Sequence, residues 1–391
     1  MNCTKRTDCR ACHAAGLIQI LDLGDQPPAN AYVSDVDVLE DRYPLTLQLC
    51  SVCGMVQLGH VVDPGILFGG YSFRTGSSQR MVDHFSKLLG ELVYSLPRDS
   101  LVVEIGANDG IALASVAGRV RVLGIDPAGI VAPVPMIASM FTEQIAGEIV
   151  ETHGRANVIV ACNVLGHVDD LDDFLRGIAT LLRADGVFVF EVPYLGEFLD
   201  RGEWDTIYHE HLSYFSARPL LTLLERHGLR LEQVERHEVH GGSIRCRVTK
   251  GTGQGEHVNR WREAHEYWRR LSDAVTYDGL VDAVHEDCTR LCGTLAGLRE
   301  RGQSVIGYGA PAKATVRLNV CDIGPDMLPL IVDCTPEKQG RHVPGTHQQI
   351  VSPESVDLRE FDAVLILPAN HAAEITAKIH AAGFVGQIIL P

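Results

Sequence analysis

At 391 residues and 46% hydrophobic content, the chain has the length and apolar material for two or three globular domains, each with a core of its own. Its formal net charge of −16, with 50 Asp and Glu against 34 Lys and Arg, argues against a nucleic-acid or anionic-membrane surface, since such surfaces are usually basic. No apolar run reaches the roughly 18 residues of a membrane span, and MNCTKRTDCR lacks a signal-peptide core, so the expected location is the cytoplasm, with reduced cysteines.

Reduced but clustered cysteines ask for a metal. Cys9 and Cys12 form one C-x-x-C pair, Cys50 and Cys53 a second, and two such knuckles complete the four-sulfur tetrahedral shell that zinc favours. Strand-like runs between the pairs, LIQILDLGDQPPANAYV and YPLTLQL, are able to fold the second knuckle back onto the first. The alternative is four unligated thiols, with Cys3 and His13 as spare ligands. Such a metal has no open position and serves the fold.

A link rich in glycine and hydroxyl groups follows, carrying Tyr71, Phe73 and Ser77 ahead of a helix, MVDHFSKLLGELV. It reads either as a cover over a ligand or as an ordinary linker ending in a serine cap. The next stretch, residues 101–110, LVVEIGANDG, is an apolar strand running into a glycine-rich turn, after which IALASVA resumes with helical spacing. Gly106 and Gly110 permit tight turning and close ligand approach, Asn108 lies between them, and Asp126 ends the next strand at the distance where a carboxylate meets ribose hydroxyls. The pattern is E-x-G-x-N-x-G. Glu104 at the strand end would repel a pyrophosphate, so a cationic nucleotide such as S-adenosylmethionine suits the turn better than a nicotinamide dinucleotide.

From Val102 to about Lys250, short apolar strands alternate with amphipathic helices, as in an open α/β sheet. VIVACN ends at Asn163. His167 follows at the carboxyl edge, where it is either a ligand contact or a helix-start hydrogen bonder. VDDLDDFLRGIATLLRADG is expected to be a helix closed by Gly186, and VFVFEVP the next strand. Tyr208-His209-Glu210-His211 then lies in a polar insertion between Trp204 and the pair Tyr214-Phe215, whose aromatic surfaces would desolvate it for acid–base use; a solvated loop is the plain alternative. His240-Gly241-Gly242 reads as a hairpin, giving the sheet an antiparallel end.

Beyond residue 251, two amphipathic helices bridge to a second α/β unit. Gly307 and Gly309 mark its strand-to-helix turn, and Lys313 at the helix start reads as a phosphate contact for a substrate such as a nucleotide diphosphate, a purely structural glycine turn being the alternative.

Taken together, CRAC, CSVCG, VVEIGANDG, NVLGHV, YHEHLSYFS, HGGSIR and GYGAPAK resemble, over nearly the whole chain, the three-domain sugar C-methyltransferases of deoxysugar biosynthesis. The resemblance implies a zinc-binding domain over residues 1–72, a Rossmann-like class I methyltransferase domain binding S-adenosylmethionine over 73–250, and a helical bridge with a Rossmann-like α/β domain for substrate over 251–391. It implies a dTDP-linked keto-deoxysugar as substrate, methylated beside its ketone, at C-3 of a 4-keto sugar with C-5 as the alternative; the expected assembly is a monomer or weak homodimer. His211 matches the family's general base, Tyr208 and Glu210 its companions, and His167 a further active-site histidine. Tyr71 matches the first aromatic of a Tyr-x-Tyr stretch, from which Phe73 departs. In the implied chemistry His211 removes the proton next to the ketone, Tyr208 and His167 donate to the enolate oxygen, and Glu210 orients a histidine. A nicotinamide-dependent sugar ketoreductase, a bifunctional methyltransferase and ketoreductase, and a non-catalytic sugar-nucleotide-binding zinc protein are the competing readings.

Overall fold

The computed structural model describes residues 2–68 and 75–391, so Tyr71 and Phe73 lie outside the described residues. Near the amino terminus, strands Leu17–Gln26, Tyr43–Cys50 and Val56–Leu58 form an antiparallel sheet. Its fourth strand, Ser213–Tyr214, arrives from far along the chain and pairs Ser213 with Gln57. Each C-x-x-C pair closes a tight turn of the same form: the Cys9 carbonyl accepts from His13 N–H at 2.9 Å, and the Cys50 carbonyl from Gly54 N–H at 3.0 Å. The long hairpin between the pairs returns the second knuckle to the first, as the strand-like runs suggest, and the sulfurs of Cys9, Cys12, Cys50 and Cys53 lie within 4.8 Å of one another. The spare candidates stay apart: Cys3 is in the edge strand Cys3–Lys5, and His13 turns to Asp8 and Asp172.

The central sheet has seven strands in the order Leu229–His237, Ser243–Lys250, Leu182–Pro193, Ala156–Cys162, Leu101–Ile105, Arg121–Ile125, Met136–Ile137. Ser243–Lys250 alone runs antiparallel, which is the expected antiparallel end. Because both faces are buried, alternate residues of one strand feed different cores. Val102 joins Phe85 and Leu88 of helix Gln79–Val93, while Val103 lies in the core that includes Ile149 of helix Glu143–His153 and Phe174 of helix Leu171–Leu181. Strand order reverses between Leu101–Ile105 and Ala156–Cys162, so the ligand crevice of such a sheet opens at their carboxyl ends.

Gly186 does not close a helix. The helix stops at Leu181 and the next strand starts at Leu182, with a register shift between Leu182 and Val187. A Cβ on Gly186 would come within 3.0 Å of the Ala156 carbonyl oxygen, so the glycine serves close strand approach.

Helices Glu256–His265 and Leu280–Glu300 lead to a parallel sheet in the order Gln349–Val351, Leu330–Val332, Val305–Tyr308, Ala363–Ile366, Gln387–Ile389. The expectation that every cysteine is reduced is corrected here. Packing of Leu280–Glu300 against the end of helix Ala312–Val320 brings the Cα atoms of Cys288 and Cys321 to 4.9 Å, and the two are joined as a disulfide. No helix among the described residues is long and apolar enough to cross a membrane.

Four convergent sulfurs predict about one equivalent of tightly held zinc per chain, measurable by elemental analysis. Cys50 ends a strand of the first sheet, so Cys50→Ser should lower the unfolding temperature of that region and release the metal; a folded, metal-free wild-type preparation would contradict this.

Candidate active site

The turn after Leu101–Ile105 is built as its glycines suggest. Gly106, Asn108 and Gly110 all have positive φ, at 72°, 53° and 68°. A side chain on Gly106 would collide with Val164, which shows how closely this turn meets the turn after the neighbouring strand. Asp126 braces it: one carboxylate oxygen accepts from Asn108 N–H at 2.9 Å and the other from Ala128 N–H at 2.9 Å. Each oxygen retains acceptor capacity for a ribose hydroxyl. The described end of the linker ahead of helix Gln79–Val93 is moored to the same turn, Thr75 N–H on Asn108 and Gly76 N–H on Asp109.

Two acceptors in this crevice are buried with no hydrogen-bond partner, Oε2 of Glu104 and Oδ1 of Asn163, the latter held at a φ of 56°. Burial, reinforced by Asp109 and Asp126, pushes the Glu104 carboxyl up to about 8. It is therefore largely neutral at pH 7, and its repulsion of anions is weaker than its residue type suggests. Orphaned acceptors call for a donor. The ammonium of S-adenosylmethionine can donate to such acceptors and its sulfonium adds positive charge beside them, whereas a diphosphate offers neither.

Beyond Asn163, the turn Leu165–His167 places His167 beside His211, ring centroids 5.0 Å apart. His211 lies in the turn that follows Trp204–Thr206, and its surroundings define its tautomer. The Thr206 carbonyl accepts from His211 Nδ1 at 2.8 Å and from the Tyr214 hydroxyl at 3.2 Å. A carbonyl only accepts, so Nδ1 carries the proton and Nε2 presents its lone pair. The Tyr208 hydroxyl donates to that Nε2 at 2.7 Å. His167 keeps some exposed surface, yet enough protein encloses it that burial lowers its pKa to about 4, leaving a neutral imidazole.

Glu210 corrects one expectation. Its carboxylate does not orient a histidine: Oε1 accepts from Asn30 Nδ2 at 2.9 Å, Oε2 is buried without a partner, and burial raises its pKa to about 7. The Glu210 backbone is what reaches His167. His209 points away and holds the Tyr43 carbonyl. Lys313 does not stand as a lone cation, because its Nζ is ion-paired with Glu203 at 2.7 Å. Sequence reasoning missed Asn30, which follows the stiff Pro27-Pro28 pair, and Arg10, buried in the first knuckle, whose guanidinium binds the Leu58 and Leu212 carbonyls and pairs with Asp169. Only an unusually polar knuckle marked Arg10 in the sequence, and nothing marked Asn30. A cavity of about 870 Å³ at the opposite, amino-terminal end of the central sheet is lined by none of these residues.

Comparison with known proteins agrees with this layout. Residues 9–68 match a family model described as "Putative zinc binding domain", 76–234 a methyltransferase domain, and 238–391 the C-methyltransferase C-terminal domain. The chain is 34% identical over 382 residues to C-methyltransferase NovU of Streptomyces niveus, covering 94% of this chain and 91% of that protein. Among solved structures, a 1,6-didemethyltoxoflavin-N1-methyltransferase of Burkholderia thailandensis is 19% identical, over 45% of this chain and 80% of that one, with a TM-score of 0.34. An S-adenosylmethionine-dependent methyltransferase of Clostridium acetobutylicum is 12% identical, over 44% and 92%, with a TM-score of 0.33. By its extended identity and its three matched domains, the chain belongs to the C-methyltransferase family, with S-adenosylmethionine as its methyl donor and zinc as the metal of its first domain.

Proposed function

We propose that this chain methylates the carbon beside the ketone of a dTDP-linked keto-deoxysugar, C-3 of a 4-keto sugar, in deoxysugar or antibiotic biosynthesis. The observation that carries the reading is the Tyr208–His211–Thr206 chain of hydrogen bonds, which fixes the proton on Nδ1, leaves Nε2 as the basic nitrogen and sets a hydroxyl donor beside it.

A ketone acidifies the neighbouring C–H, and His211 Nε2 is the group that removes that proton. Nε2 has one lone pair, so the Tyr208 hydroxyl turns its hydrogen from Nε2 toward the ketone oxygen as substrate binds, and the C–H proton takes its place. The same hydroxyl then donates to the enolate oxygen as its charge develops, with His167 as a second, neutral donor. The bound methyl donor supplies an electrophilic carbon on a sulfonium. Glu104, Asn163 and the Gly106–Gly110 turn hold that donor, Asp126 takes its ribose, and the described linker restricts water. Tyr71, outside the described residues, is proposed as a further catalytic residue. Glu210, anchored by Asn30, keeps the Tyr208–His211 turn in place, and Lys313 takes a substrate phosphate by exchanging Glu203 for it. A nicotinamide dinucleotide fits less well, since its diphosphate brings no cation to pair with the Glu104 carboxylate.

Donor binding should be linked to proton release. A cation beside Glu104 favours the carboxylate, so a carboxyl with a pKa of about 8 before binding should lose up to about one proton on binding near pH 7. Calorimetry in buffers of different ionisation enthalpy should show this release. Glu104→Gln should abolish it and weaken binding, the ligand's own titration being common to both proteins. Equal proton release by the two would remove Glu104 from the site.

His211→Ala should slow methyl transfer by about 100-fold or more, the usual scale of a general base, with donor affinity retained. Exchange of the substrate's acidic hydrogen with deuterated solvent should fall in step. His167→Ala should slow exchange less. Unimpaired methylation by His211→Ala together with severe loss in His167→Ala would transfer the base role to His167.

A further inference from the structure

Thr206, whose carbonyl sets the His211 tautomer, is the last residue of the short helix Trp204–Thr206. The other two residues of that helix are gripped from the C-terminal part of the chain. Asp205, 4% exposed, accepts from Arg317 Nε at 3.1 Å and Nη2 at 2.9 Å. Arg317 also binds Asp287 and lies over the Trp204 ring, 4.8 Å from guanidinium carbon to centroid, while Trp204 Nε1–H donates to Asp287 at 2.8 Å. Arg317 is on helix Ala312–Val320 and Asp287 on Leu280–Glu300, and the Cys288–Cys321 bond ties those helices together next to both residues.

We infer that Arg317, with Asp205 and Asp287, is a positioning residue for methyl transfer: it anchors Trp204–Thr206 so that the Thr206 carbonyl stays aimed at His211 Nδ1 and Nε2 stays the nitrogen without a proton. The function of this assembly differs from that of a surface ion pair. Burying one guanidinium between two carboxylates costs desolvation that an apolar contact would avoid, and what it gains is a planar, bidentate grip on one orientation. A lysine keeps the charge and loses the fork. The C-terminal part of the chain thereby acts on the proton-transfer step, through a backbone carbonyl, without touching substrate.

The inference rests on His211 being the base, so its test has one readout that is independent of turnover. In protein carrying nitrogen-15-labelled histidine, the His211 ring signals, assigned by their loss in His211→Gln among the 17 histidines, report which nitrogen holds the proton. Wild type should show the Nδ1–H form. Arg317→Met and Arg317→Lys should shift His211 toward a mixture of tautomers and lower kcat by about 10- to 100-fold, the scale of a small misplacement of reacting groups, with the KM for methyl donor unchanged. Because Arg317→Met alone strands the buried Asp205, the paired variant Arg317→Met with Asp205→Asn removes both of those charges, Asp287 keeping Arg290 as its partner, and retains a folded reference. The milder Asp287→Asn should give a smaller shift in the same direction. An unchanged Nδ1–H signature with wild-type kcat in the folded paired variant overturns the inference. A changed signature in variants whose turnover is intact would instead uphold the positioning geometry and refute His211 as base.

Discussion

The segment from Trp204 to Phe215 has to satisfy hydrogen bonds in three parts of the molecule at once, and the active site depends on that constraint. At its start it is anchored to helices of the C-terminal part, at its end Ser213–Tyr214 adds a strand to the first sheet, and Tyr194 bridges Phe215 at the edge of the central one. A two-residue strand has little stability by itself. Arg10 supplies the missing restraint: its guanidinium joins the carbonyls of Leu58 and Leu212 on either side of that pairing. The zinc knuckle that holds Arg10 therefore bears on the Tyr208–His211 turn although it lies outside the chemistry.

Charge burial follows one rule throughout. Arg10 with Asp169, Arg317 with Asp205 and Asp287, and Glu191 with His84 and Arg245 are each paired across elements distant in sequence. Pairs of this kind contribute little net stability against an apolar substitute but penalise any arrangement that separates them; the Arg10 and Arg317 pairs thereby act between parts of the chain, and the Glu191 group within the central one.

The carboxyls left without cationic partners behave in the opposite way. Glu104 and Glu210 are raised to about 8 and about 7 because burial disfavours their charged forms. One of them fronts the crevice assigned to the methyl donor, where a neutral acceptor becomes a counter-ion only when a cation arrives. The other is held by Asn30 next to the Tyr208–His211 turn, and its raised pKa weakens the pull it exerts on protons of nearby histidines.

Local spacing determined a good part of this protein. C-x-x-C pairs dictate knuckles because the turn that follows each first cysteine is only a few residues long, and alternation of Val102 and Val103 dictates a strand buried on both faces. The positive φ values at Gly106, Asn108 and Gly110 follow from residue types that tolerate them. Tertiary structure decided the rest. Whether Glu210 met a histidine or Asn30, whether Lys313 stood alone or with Glu203, whether Cys288 found Cys321, and which element gripped Asp205 all depend on contacts between residues far apart in sequence, whose partners no local pattern encodes. The same holds for the end of the helix at Leu181: helical periodicity continued past it, but pairing of Leu182 with Ala156 drew the chain into the sheet. Sequence names the groups able to do the chemistry, and only packing in three dimensions chooses which of their lone pairs are left open to do it.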